Sequence, residues 1–115
     1  MMITVEQVRA LTRTLPRTSE HLIRDQVKFR VGSIVYVAFS RDETVMGFAF
    51  PKEERAALIE SEPAKFHLPR ESELRFNWVH AWTAALDAPE MRELVMDAWR
   101  MVVPKKVAAA RLGTP

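Results

Sequence analysis

The stretch Lys28–Arg55 reads KFRVGSIVYVAFSRDETVMGFAFPKEER, and its alternations and breaks decide the fold. Lys28 and Arg30 fall on one side of an extended segment, Phe29 and Val31 on the other. Gly32-Ser33 matches a two-residue hairpin loop, because glycine enters positive φ without a Cβ clash. Ile34 to Phe39 is apolar on both sides and rich in β-branched residues; Ser40-Arg41-Asp42-Glu43 makes a turn, and Thr44 to Phe50 is again apolar on both sides. Such runs suit strands in the middle of a sheet, covered on both faces, with helices as the expected cover. Pro51 fits a first helical turn, and Glu53 and Glu54 suit the positive end of a helix dipole.

Toward the N-terminus, Thr4 with Gln7 resembles a capping box. Val5, Val8, Leu11 and Leu15 follow at helical spacing, and the helix stops near Leu15-Pro16. Its other face carries Arg9 and Arg13, with Arg17 just beyond; that stripe suits phosphates or simply a wet helix face. Ser19 to Asp25 reads as a first strand. Toward the C-terminus, Leu58 and Ile59 are core contacts of the helix begun at Pro51, which ends at Pro63, and Glu62 to Ser72 reads as loop. Phe76 to Thr83 is a strand with Trp78, His80 and Trp82 on one face and Asn77, Val79, Ala81 and Thr83 on the other. Asp87 with Glu90 makes a second capping box. Met91, Leu94, Val95, Ala98, Trp99 and Val102 then share one helix face, which Pro104 ends. Lys105 and Lys106 sit where cations favour a helix C-terminus, and a short last helix to Leu112 has Gly113 as its stop.

The chain is therefore expected to form one α+β domain over residues 1–115. An antiparallel sheet of about five strands would pack against about three to four helices. With 115 residues, 48% hydrophobic and 28% charged, it can bury a core without metals or disulfides. It has no cysteine, which excludes thiol chemistry and fits a reducing cytoplasm. No long apolar run predicts a membrane span, and the N-terminus has no secretory pattern.

Charge is distributed unevenly. Residues 1–41 hold seven Lys/Arg against three Asp/Glu, residues 42–97 six against twelve, and residues 98–115 four against none. Arginine supplies 12 of the 17 cations, and its planar fork suits phosphate. The basic first third and tail would merge into one positive face if the termini lie close.

No catalytic set emerges. His21, His67 and His80 are far apart in the sequence and outside any H-E-x-x-H pattern, and no G-x-S-x-G elbow or phosphate-binding glycine loop occurs. Glu53/Glu54 and Glu71/Glu73 read as solvated carboxylates. No metal, cofactor or catalytic residue is expected. Nucleic-acid binding asks only for cations on phosphates and an aromatic to stack. Lys28, Arg30, Arg41, Arg75, Lys105 and Lys106 are candidates for the first, Trp78 and Trp82 with His80 between them for the second. Two tryptophans on one strand face also pack readily under a helix, although His80 would then need a buried partner.

An ordered set of short pieces resembles the MmcQ/YjbR family of small bacterial proteins. The pieces are Leu15-Pro16, Phe29-Arg30-Val31-Gly32 with Val35-Tyr36, Phe50-Pro51-Lys52-Glu53-Glu54-Arg55, Asn77-Trp78-Val79, Ala98-Trp99-Arg100 and Pro104-Lys105. They run from Leu15 to about Val107. The resemblance implies a double-wing α+β fold, like the DNA-binding domain of a phage transcription factor, and a DNA-binding role by fold analogy. The chain departs from the family at Ile34, where a lysine is common, and at His80 and Trp82, where basic outward residues are common. The family has no agreed catalytic residues. The expectation is a non-enzymatic, cytoplasmic, transcription-associated module, a monomer or weak dimer, with double-stranded DNA as partner. The alternative is a protein-interaction module that uses Trp78 and Trp82.

Overall fold

A computed structural model describes residues 2–111. Helix α1 (Val5–Thr12) begins at the expected capping box: Thr4 Oγ1 accepts from the Gln7 amide, and Gln7 Oε1 accepts from the Thr4 amide. Its Val5, Val8 and Leu11 are buried. Strands β1 (Thr18–Ile23), β2 (Gln26–Val31), β3 (Ile34–Phe39) and β4 (Val45–Ala49) follow, then helix α2 (Lys52–Ser61). Strand β5 (Phe66–His67) is two residues long and β6 is Trp78–Trp82. Helices α3 (Ala88–Arg100) and α4 (Lys105–Arg111) complete the described chain. The expected stop at Leu112-Gly113 lies outside the described residues.

The six strands form one antiparallel sheet in the order β1-β2-β3-β4-β6-β5. The expected five become six because β5 lies in the segment read as loop. A two-residue strand between prolines shows no alternation to read. The first strand ends at Ile23 rather than Asp25. Arg24 and Asp25 both take positive φ, 52° and 64°, the turn that joins twisted strands tightly. Arginine carries no sequence signal for that conformation. Gly32, at φ 61°, makes the expected β2–β3 loop, with Val31 opposite Ile34.

Between those loops the β2–β3 register slips. Phe29 faces Val37, but Arg30 faces Val35, so Tyr36 is an extra residue on β3. Tyr36 and Val37 are both fully buried, and the Tyr36 hydroxyl lies 2.7 Å from Thr18 Oγ1. Burial pushes the Tyr36 phenol up to about 12.

One face of the sheet carries the core. Phe29, Val37, Phe39, Met46, Phe48, Val79 and Ala81 meet the apolar sides of α1 and α3, with Leu58 and Ile59 of α2 and Val107 and Ala108 of α4 packed at its margin. Along α3, Met91, Val95, Ala98 and Trp99 are buried, as the spacing predicts. Asp87 caps the α3 N-terminus by accepting from the Glu90 amide, but the Glu90 carboxylate bonds Lys65 instead of completing a box. The Trp99 indole N–H donates to the Pro16 carbonyl at 2.9 Å, tying α3 to the end of α1.

The expectation of helices on both faces of β3 and β4 is corrected. Beside Val45, the second face presents Ala38, Gly47 and Ala49, side chains so small that their strands read as apolar while a trough remains above them. What shields Gly47 is the Trp78 indole.

Candidate nucleic-acid interface

The open face forms a trough of about 840 Å³. It runs along the strands, from Gln26, Ser40 and Val45 at one end to Ile34, Asn77 and Met101 at the other. Six residues of strand give it a length of roughly 20 Å, and three strand spacings between β2 and β6 set its walls roughly 14 Å apart. Lys28 stands on the β2 wall. Trp78 and His80 stand on the β6 wall, extended by Arg70, Glu73 and Phe76 from the segment before β6.

That segment is held by the first turns of α2. Arg55 donates to the carbonyls of Leu74 (2.5 Å), Phe76 (3.0 Å) and Trp78 (3.2 Å). Lys52 Nζ donates to the Arg75 carbonyl, and the Lys52 amide to Asn77 Oδ1. One planar guanidinium thus serves three carbonyls, those of Leu74 and Phe76 before β6 and that of Trp78 at its first residue.

The pairing of β5 with β6 brings His67 opposite His80, with ring centroids 5.4 Å apart. Burial lowers the pKa of both imidazoles; at His80 the neighbouring His67 lowers it further, while Glu73, 4.0 Å away, opposes the shift. Both rings are therefore neutral at pH 7. Glu73 also lies 3.8 Å from Arg70. Trp82 stacks on His67 at 4.5 Å and 29°, and Arg75 sits 4.6 Å over the Phe76 ring.

Of the residues singled out in the sequence, Lys28, Trp78 and His80 line the trough together, and Trp82 continues the same face of β6. Arg75 stands beside it, on Phe76. Arg30 shares the face of Lys28, but its Nη2 lies 3.0–3.2 Å from the His21 ring nitrogens and its Nε is buried without a partner. Arg41 is in the β3–β4 turn, where its Nε donates to the Arg24 carbonyl. Contrary to the expectation that they end a helix, Lys105 and Lys106 begin α4, because α3 stops at Arg100. Arg9 is held by Glu6 and Glu20, and is no free phosphate contact. The basic tail does reach the basic first third: Arg111 donates to the carbonyl and hydroxyl of Thr14.

Sequence reasoning missed His67, Arg70, Glu73, Phe76 and Gly47. Glu73 is no free solvated carboxylate, since it faces His80 and Arg70. Only the pairing of β5 could have exposed the histidine pair, and β5 leaves no pattern. Among the described residues no group of three or more His, Cys, Asp or Glu is placed to hold a metal ion, and no helix is long and apolar enough to cross a membrane. A neutral histidine, a lysine and an arginine around an aromatic trough can hold a planar, anionic ligand.

This is an α+β domain with helices on one face of a six-stranded sheet and a trough on the other. The model of the YjbR family matches residues 13–101, and the chain belongs to that family. It is similar to a crystal structure of the Deinococcus radiodurans protein DR2400, described as a DUF419 domain. The TM-score is 0.78 at 21% identity, over 99% of this chain and 91% of that one, so the likeness concerns the fold. No curated protein matches the sequence.

Proposed function

We propose that this protein is a non-enzymatic, DNA-binding module of the bacterial cytoplasm, associated with transcription, which holds nucleic acid on the open face of its sheet. The supporting observation is the trough itself: Lys28 on one wall, and Arg70 with Trp78 on the other. Cations on both walls match phosphates, and Glu73, the only carboxylate in the lining among the described residues, already faces Arg70.

Fluorescence anisotropy of labelled DNA at two salt concentrations tests this. Binding in the micromolar range that weakens steeply with salt is expected, because phosphate contacts release counterions. Lys28→Glu should weaken it for all sequences alike. A folded protein that binds no DNA at low salt would sink the proposal.

A second reading rests on a different observation. Ile34, Phe76 and Met101 are exposed at the upper end of the trough, an apolar rim suited to a protein partner or a second copy. Light scattering would then show a mass that rises with concentration and reverts in Ile34→Asp. A constant monomer mass would remove self-association from this reading.

A further inference from the structure

We infer that the trough takes unpaired nucleotides in preference to duplex DNA, with β6 as a stacking track. This rests on the nucleic-acid reading above and narrows it.

The aromatic side chains carry the inference. Phe76, two residues before β6, and Trp82, its last residue, are 51% and 44% exposed, with Trp78 and His80 between them. Phe76, Trp82 and Trp78 each have one side occupied from within the protein: Arg75 over Phe76, His67 against Trp82, Gly47 under Trp78. These supports fix the rings, so little freedom is lost when a base stacks on them. From Trp78 to Trp82 the strand rises roughly 13 Å, room for more than one base.

Bases offer their flat faces only when unpaired; in a duplex those faces are buried in the stack, and the protein meets edges and phosphates. The site is also recessed. Its floor is Ala38 and Gly47, and its walls stand only a little farther apart than the edges of a B-DNA major groove, about 12 Å. A whole duplex is wider than its own groove and would rest on the rim, out of reach of Trp78. A single strand fits between the walls, its bases against the rings of β6 and its phosphates within reach of Lys28 across the trough and of Arg70 beside the track.

The test titrates the full chain with three labelled probes at one salt concentration: an oligothymidylate, an oligouridylate of equal length and a mixed-sequence duplex. The expected result is at least about tenfold tighter binding of a single strand than of duplex. Trp82→Ala and Phe76→Ala should each weaken single-strand binding about 5- to 100-fold, Trp82→Phe far less, with duplex binding little changed. Both side chains are exposed, so the variants should fold, which circular dichroism verifies. Duplex binding as tight as single-strand binding would overturn this inference and leave the DNA-binding proposal standing. Single-strand preference unmoved by either alanine variant would overturn the stacking track. Failure of all three probes to bind would overturn both proposals. The two single-stranded probes separate DNA from RNA as the source of the unpaired strand.

Discussion

The Trp78 indole lies against Gly47 on the neighbouring strand. An ideal Cβ on Gly47 would fall 2.7 Å from both Nε1 and Cζ2 of that ring, closer than real carbon contacts allow. Gly47 has an ordinary φ, so glycine is required here for space rather than for conformation. Gly47→Ala should therefore lift the indole off the sheet. Overpacking of this kind costs about 1–3 kcal/mol. A lower melting temperature with a shifted tryptophan emission is expected; an unchanged spectrum would mean that the ring does not rest there in solution.

Arg55 is the keystone of the β6 wall. Arg55→Met would leave the part-buried carbonyls of Leu74 and Trp78 and the exposed carbonyl of Phe76 without their donor, at a cost of about 1–3 kcal/mol in all. Arg55→Lys should rescue little, since a single ammonium cannot span three acceptors. Urea denaturation reads the loss. Faster amide exchange confined to residues 71–77 would place it at the wall.

The salt slope separates the cations inside the trough from those outside. A single strand loses affinity with a slope near −0.7 for each phosphate neutralised. Lys28→Gln and Arg70→Gln should each flatten the slope by about 0.7. Arg41→Gln and Lys105→Gln, outside the trough, should leave it unchanged. Equal effects from all four would point to diffuse attraction in place of a site.

His67 and His80 give a sign-defined pH dependence. Both pKa values lie below the ordinary imidazole value, so the unfolded chain binds more protons than the native one just below about pH 6.5. Stability should be full above that pH and fall as pH drops toward the native values. His80→Phe should flatten the fall that sets in below about pH 6.5. Glu20 and Asp42, whose pKa values are held down by Arg9 and by Thr44 with Ser40, act only in a more acidic window. Phosphates held in the trough by Lys28 and Arg70 would favour the imidazolium of His80, so oligonucleotide affinity should rise as pH falls below about 6.5. Affinity independent of pH would take His80 out of contact with the strand.

Trp99 joins the two ends of the chain through its bond to Pro16. Trp99→Phe keeps most of the packing and should cost the hydrogen bond, about 1 kcal/mol. Trp99→Ala should cost about 3–5 kcal/mol. Equal losses for the two variants, measured by denaturation, would mean that packing around this ring is not what stabilises the α1–α3 contact.

Much of this was legible in the residues. The α1 cap at Thr4-Gln7, the apolar face of α3, the loop at Gly32 and the face assignment of β6 all follow from periodicity and local hydrogen bonding, which a linear sequence displays. The resemblance pieces also prove to be wired together: Lys52 and Arg55 hold Asn77, Phe76 and Trp78, and Trp99 holds Pro16. Long-range register stayed hidden. Nothing near His67 announces a neighbour at His80, because the pairing runs through a strand of two residues. The second face of β3 and β4 misled for a different reason. Alanine and glycine score as apolar whether they lie under a helix or floor an open groove. Lys105 and Lys106 moved from a helix end to a helix start because α3 stops four residues before Pro104.

The extra residue at Tyr36 acts as a change of parity along β3. On the Ala38 side of it, even-numbered positions look into the trough; beyond it, Val35 takes that place opposite Arg30 while Tyr36 turns inward. The hairpin tip and the body of the sheet therefore answer to opposite counting rules. Deleting Tyr36 would do more than remove a phenol: it would set both halves in one phase. Any relative compared with this chain by odd-and-even alternation must be counted afresh from that point before its trough residues can be named.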